Sequence, residues 1–346
     1  MSKGLRKCLV FVVIALLVLA LVAGCGSKPA NETGKQGNTS TTSNSNTNSD
    51  TKGEFKVALI APGAVNDGGW NASALQGLNE IQAKLGAKIA YTEKVAPANY
   101  TQVIRTYARQ GYNLIFGHSF DFDEAMKSVA PEFPNTQFVV INGSVTGPNL
   151  ASTSFKFGEL GYFTGMTAGL ITKSNKVGVV APMAAPTVTA DIDTFKEGVA
   201  KVNPKASVAV SYVGSWEDIP KAKEAAKALL SQGNDVLLVM GNSFSIGVFQ
   251  ACKDANAKAI GWVTDQNFMA PDTIVTSGLQ SVEALYLKIA ETAKKGKLEP
   301  QHYVYGMKDG AQSLAPFKNV PQDVVDKVQS AVKDYLDGKF SIKTLY

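Results

Sequence analysis

Apolar positions along this chain follow two rhythms that alternate. Phe55 to Ala61 (FKVALIA) is a short apolar run closed by Pro62 and Gly63, which predicts a buried strand running into a turn. From Ala72 to Leu85 the rhythm changes, and Leu75, Leu78, Ile81 and Leu85 fall on one helical face. Lys88 to Thr92 reads as a strand again. Tyr100 to Gln110 reads as a helix stopped by Gly111, with Val103, Ile104 and Tyr107 at helical spacing. Asn113 to Phe116 and Gln137 to Ile141 are short strands with a helix near Glu124 to Ala130 between them. Strands separated by helices imply right-handed βαβ units and a parallel sheet.

The alternation then starts over. Val177 to Val180, Ser207 to Tyr212, Val236 to Met240 and Ala259 to Val263 predict strands; Ala190 to Lys201, Ile219 to Gln232 and Ser245 to Asn256 predict helices. Two successive open units of similar size point to an α/β protein of two similarly built lobes. A single closed barrel is the alternative that a strand count leaves open. In an open parallel sheet, ligands approach the carboxyl ends of the strands, so the loops after the strands are the candidate site.

The first 54 residues have a different character. Lys3, Arg6 and Lys7 precede an apolar run from Leu9 to Ala23, too short for a comfortable membrane span but suited to a secretory signal. Leu21-Val22-Ala23-Gly24-Cys25 resembles the lipobox of bacterial lipoproteins. The resemblance implies removal of 1–24 as a signal peptide, acylation of Cys25, and a protein held to the extracytoplasmic face of a bilayer by lipid. Residues 25–54 are rich in Ser, Thr, Asn and Gly and read as a flexible tether.

Charge and composition narrow the chemistry. The chain has 34 Lys+Arg against 29 Asp+Glu, a net +5; without the three basic residues of the leader, 31 stand against 29, a net +2. A near-neutral body gives no electrostatic reason to expect nucleic-acid binding. Cys252 is the one cysteine of the body and reads as a small buried residue. No CxxC, HExxH, GxxxxGK[ST] or GxGxxG occurs, so neither a metal, a cofactor nor nucleotide hydrolysis is expected. His118-Ser119 lacks the GxSxG context of a nucleophile, and no catalytic residues are expected.

Several of the loops pair an aromatic with hydrogen-bonding groups. They are Asn66-Asp67-Gly68-Gly69-Trp70-Asn71, Gly117-His118-Ser119-Phe120-Asp121, Gly214-Ser215-Trp216-Glu217-Asp218, Gly241-Asn242-Ser243-Phe244, and Thr264-Asp265-Gln266-Asn267-Phe268. Rings that stack, beside amides and carboxylates that read in-plane donors and acceptors, suit a flat heteroaromatic ligand. Asp67, Asn71 and Asp218 also read as helix caps, ahead of Ala72 and Ile219.

Three stretches resemble the basic membrane protein (BMP, PnrA-like) family, the substrate-binding lipoproteins of ABC importers: KVALIAPGAVNDGGWNASALQGL, GELGYFTGMTAGLITKSNKVGVV and VTDQNFMAPDTIVTSGL. The resemblance spans Phe55 to Phe317. It implies a type I periplasmic-binding-protein fold, two Rossmann-like lobes that close on a purine base or nucleoside, monomeric and working with membrane permease subunits and a separate ATPase. Lobe 1 is expected over 55–148 plus 268–297 and lobe 2 over 149–267 plus 298–346. Asp67, Trp70, Asn71, Asp265 and Gln266 match its motifs; Asn66, His118, Phe120, Asp121, Trp216 and Phe244 are candidates by loop placement. Gln280 stands about where nucleoside-binding members carry a lysine for the ribose. That departure, together with the GHSFDF and GSWED segments, which resemble those of members that bind a free purine base, implies a free base such as adenine ahead of a nucleoside. A ligand sensor for a membrane receptor is the alternative role for the same fold.

Overall fold

The computed structural model describes residues 53–346; the leader, Cys25 and nearly all of the tether lie outside the described residues. The first lobe begins with β1 (Lys56–Ile60), α1 (Trp70–Leu85), β2 (Lys88–Thr92), α2 (Tyr100–Arg109), β3 (Leu114–Gly117), α3 (Asp123–Val129), β4 (Gln137–Ile141) and β5 (Leu150–Phe155). The second begins with α4 (Glu159–Ile171), β6 (Lys176–Ala181), α5 (Pro186–Val202), β7 (Ser207–Tyr212), α6 (Ile219–Ser231), β8 (Val236–Val239), α7 (Ser245–Asp254), β9 (Lys258–Val263) and β10 (Ile274–Gln280). Then come α8 (Val282–Lys295), β11 (His302–Tyr305), β12 (Gln312–Leu314) and α9 (Gln322–Leu336).

The strands form two separate six-stranded sheets, which rules out the closed barrel. Their orders are β11-β5-β4-β3-β1-β2 and β12-β10-β9-β8-β6-β7. All pairs in the first are parallel; in the second only β12 runs against its neighbour β10. Both faces of each sheet are covered, as parallel sheets require. Leu78, Ile81, Tyr286 and Ile289 of α1 and α8 seal one face of the first, and Ile104, Met126 and Val129 of α2 and α3 the other. The second lies between Leu160, Ile192 and Phe195 of α4 and α5 and Ala226, Val248 and Cys252 of α6 and α7. Cys252 is a free, fully buried thiol whose pKa burial pushes up to about 12, the inert core residue its setting suggested.

The expected lobe boundaries differ from the sheet membership. β5 and β11 pair in the first sheet, although the expectation puts 149–267 and 298–346 in lobe 2, and β10 pairs in the second, although the expectation puts 268–297 in lobe 1. The reason is local: β4 to β5 and β9 to β10 follow one another with no α-helix between them, so the alternation carries no marker where the chain changes lobe.

Three connections cross between the lobes: 156–158 from β5 to α4, Ser281 from β10 to α8, and 306–311 from β11 to β12. They are bonded to one another. Ser281 N–H donates to the Ala311 carbonyl at 2.8 Å, and the buried Glu159 carboxylate accepts the Met307 N–H at 2.6 Å and the Tyr335 hydroxyl. Lys156 Nζ lies 3.8 Å from the same carboxylate. The Glu159 side chain thus links the first connection, through Lys156, to the third, through Met307.

Candidate functional site

The carboxyl ends of both sheets face one cavity of about 330 Å³, within the usual range for small-molecule sites. Its wall takes residues from the loops after β1, β3 and β4 on one side and after β6, β7 and β8 on the other, with the ends of β9 and β10 and the first connection completing it. Trp70, Asn71, Phe120, Asp121 and Trp216, five of the expected residues, line it.

Trp70 opens α1 and presents a well-supported ring. Its indole stacks on the His118 imidazole with centroids 4.3 Å apart and planes 17° apart, and its edge meets Phe155 at 6.4 Å. Trp70 Nε1–H donates to the His118 carbonyl at 3.4 Å. His118 is wholly buried behind this ring, so it supports the cavity wall without lining it. Its Nε2–H donates to the Trp70 carbonyl at 3.0 Å while the Tyr286 hydroxyl donates to Nδ1 at 2.9 Å, which sets a neutral tautomer. Burial lowers its pKa to about 4, so it stays uncharged at neutral pH.

Asp67 is an organiser of the loop. Oδ1 accepts the N–H groups of Gly69 (2.9 Å) and Ala72 (3.0 Å); Oδ2 accepts Asn71 N–H (3.0 Å) and Asn71 Nδ2 (2.8 Å). With both oxygens doubly occupied, the carboxylate caps α1 and aims Asn71 into the cavity wall. A Cβ on Gly63 would sit 2.4 Å from Asn71 Nδ2, so the bare backbone there is what admits the amide. Asp218 caps α6 through Lys221 N–H at 3.0 Å, as its position ahead of Ile219-Pro220 suggests.

The structure places the other expected residues off the wall. Asn66 is exposed. Phe244 is fully buried in the α6–α7 core, its ring filling the space a Gly241 side chain would need. Asp265 is exposed and accepts Asn267 N–H in its own loop at 3.0 Å. Gln266 is buried behind the wall, where its Oε1 accepts the Trp262 N–H at 3.0 Å and its own N–H donates to Ser277 Oγ at 3.2 Å. It steadies the end of β9, where Val263 holds φ at 71°, a costly left-handed backbone for a β-branched residue.

Residues outside the expected set complete the wall: Asn142, Phe157, Asp191, Glu217, Trp262 and Gln280 among them. Two of these have unmet hydrogen-bonding capacity. Among the described residues Asn142 Oδ1 and Gln280 Nε2 are buried without a partner, and Gln280 is only 4% exposed. A buried amide atom without a partner costs stability, so two on one cavity wall are expected where something else is meant to meet them. Among the described residues the wall has three carboxylates, Asp121, Asp191 and Glu217, and no lysine, arginine or histidine. Asp121 is held by Ser119 Oγ–H at 2.8 Å, and Glu217 by Asn242 Nδ2 at 3.1 Å and Ser243 N–H at 3.3 Å.

Comparison with known proteins agrees with this architecture. The model of the family described as ABC transporter substrate-binding protein PnrA-like matches residues 55–345. A purine-binding protein of Brucella abortus is 33% identical over 274 residues, 78% of each chain. The transcriptional activator protein med of Bacillus subtilis is 30% identical over 326 residues, 93% of this chain and 95% of its own. An ABC transporter solute-binding protein structure from Aeropyrum pernix superposes with a TM-score of 0.76 at 21% identity, covering 84% of this chain and 93% of the other, which shows a shared fold.

Proposed function

Since this chain belongs to the PnrA-like family of ABC transporter substrate-binding proteins, which bind and do not catalyse, we propose that it captures a purine, with a free base such as adenine preferred over a nucleoside. The protein then hands its ligand to permease subunits whose separate ATPase drives import. Acylated Cys25 and the tether would hold it at the outer face of the membrane as a monomer, outside the described residues.

The observation that carries the ligand assignment is the pairing of aromatic walls with partnerless amides. Trp70 and Phe120 belong to one lobe and Trp216 to the other, so a planar ring entering the cavity meets aromatic surface from both sides. Asn142 and Gln280 supply an acceptor and a donor for the ring's edge. The relative named a purine-binding protein supports this reading. Three carboxylates without a cation disfavour phosphorylated ligands, and Gln280 in place of a ribose-binding lysine favours the base. Contacts with both lobes exist only when they are closed, so the ligand shifts the population towards closure.

A thermal-shift screen tests the assignment, because a ligand that binds only the native state raises the melting temperature. Adenine is expected to give the largest shift, nucleosides a smaller one, and AMP, glucose and amino acids none. A shift confined to sugars or amino acids would overturn the proposal. Within the site, Gln280→Leu keeps the volume but loses the donor, and calorimetry is expected to show adenine binding weakened about tenfold. Unchanged affinity would remove Gln280 from the contact set.

The relative named a transcriptional activator favours a second reading, a sensor that uses the same cleft. Uptake of labelled adenine by cells with and without the protein separates the two: a transport component is expected to raise uptake, and a sensor to leave it unchanged.

A further inference from the structure

The first connection between the lobes carries Gly158, whose φ of 115° belongs to glycine, and Phe157 beside it lines the cavity. Asp191 on α5 reaches that connection from the second lobe. It is 1% exposed, and its Oδ1 accepts Gly158 N–H at 2.7 Å and Gly161 N–H at 3.3 Å. The same side chain belongs to the cavity wall. Its Oδ2 makes no hydrogen bond among the described residues, in contrast to Asp67, whose two oxygens are both fully engaged.

We propose that Asp191 joins the ligand to the hinge: Oδ2 accepts an N–H of the bound purine while Oδ1 holds the first connection in its closed geometry. Asp191 is thus a specificity-determining contact for ligands with an N–H donor at that edge and a positioning residue for closure. The inference rests on the purine reading above.

The electrostatics give this arrangement a measurable signature. Burial raises the Asp191 carboxyl to about 7, against the pull of the two backbone N–H groups and with added repulsion from Glu159 on α4. Glu159 is the charged group that acts on it; Lys156 and the Tyr335 hydroxyl face Glu159 in turn. A donated N–H favours the ionised carboxylate, so the loaded protein has the lower Asp191 pKa and binding expels a proton. Affinity therefore rises with pH through neutrality, by about tenfold between pH 6 and pH 8 for a single coupled group.

The test is calorimetry of adenine binding to the full chain at pH 6, 7 and 8, in buffers of different protonation enthalpy. Wild type is expected to bind about tenfold more tightly at pH 8 than at pH 6 and to release part of a proton at pH 7. Asp191→Asn retains an oxygen for Gly158 and Gly161 and is expected to bind more weakly, with no pH dependence and no proton released. A second readout needs no variant: bound adenine is expected to slow hydrogen exchange at the Gly158 and Gly161 amides. Affinity flat across this pH range, a pH dependence that survives in Asp191→Asn, or exchange at both amides unaltered by adenine would each overturn the inference while leaving purine binding intact. Absence of adenine binding at every pH would overturn the purine reading and this inference with it.

Discussion

Replacing Trp70 by alanine is expected to weaken adenine binding by about 5- to 150-fold, matching the about 1–3 kcal/mol that a base stacked on an aromatic side chain is worth. The expectation follows from how the ring is held. One face rests on the His118 ring, its edge meets Phe155 and its N–H is on the His118 carbonyl, so little entropy remains to be lost when a ligand stacks on the other face. The substitution also removes packing from His118, and a fall in melting temperature will accompany it. Trp70→Phe separates the two effects: it keeps an apolar face and is expected to retain affinity within a few-fold. Trp216 stands on a loop with its ring half-buried, and Trp216→Ala is expected to cost less in stability. If Trp70→Ala folds and binds adenine as wild type does, the stacking account fails.

Gly165→Val is expected to destabilise the second lobe severely. A Cβ at Gly165 would lie 2.1 Å from the Phe195 carbonyl oxygen, and at Gly161 2.1 Å from that of Asp191. On the facing helix, a Cβ at Gly198 would lie 2.0 Å from the Tyr162 carbonyl oxygen. Each clash is with backbone, so no rotamer change relieves it; α4 and α5 would have to separate. Together they cover one face of the second sheet, and Asp191 of α5 also holds Gly158 just ahead of α4. The expected cost exceeds about 4 kcal/mol, enough to lower the melting temperature by roughly 10 °C or to leave aggregated protein. Gly147→Ala is the control: its nearest neighbour would be Leu150 Cβ at 3.6 Å, an ordinary contact, and circular dichroism melts are expected to match wild type. A normal melt for Gly165→Val would contradict the packing described.

The periodicity made most of the α/β alternation legible because parallel strands buried on both faces are short apolar runs, and the helices between them show one apolar stripe. It carries no signal where strands succeed each other without a helix, at β5 and β10, and there the expected lobe boundaries depart from the sheet membership. In the cavity, loops after strands showed Trp70, Asn71, Phe120, Asp121 and Trp216, since an aromatic beside a polar residue stands out in a turn. Trp262 was hidden because its strand reads as core, and Asn142 because a lone amide after a strand resembles any turn residue. Asp191 sits in the second turn of α5 between Ala190 and Ile192, and only the fold shows that its neighbours are the hinge amides and the cavity. Conversely, His118 and Phe244 looked like ligand contacts because sequence cannot tell a ring on a cavity wall from one immediately behind it.

The most direct measurement is isothermal calorimetry of the purified protein with adenine, adenosine, AMP and glucose under the same conditions. The account predicts one site per chain, with adenine bound most tightly, adenosine more weakly, and neither AMP nor glucose giving heat. Saturable binding of AMP or glucose with adenine inert would contradict it.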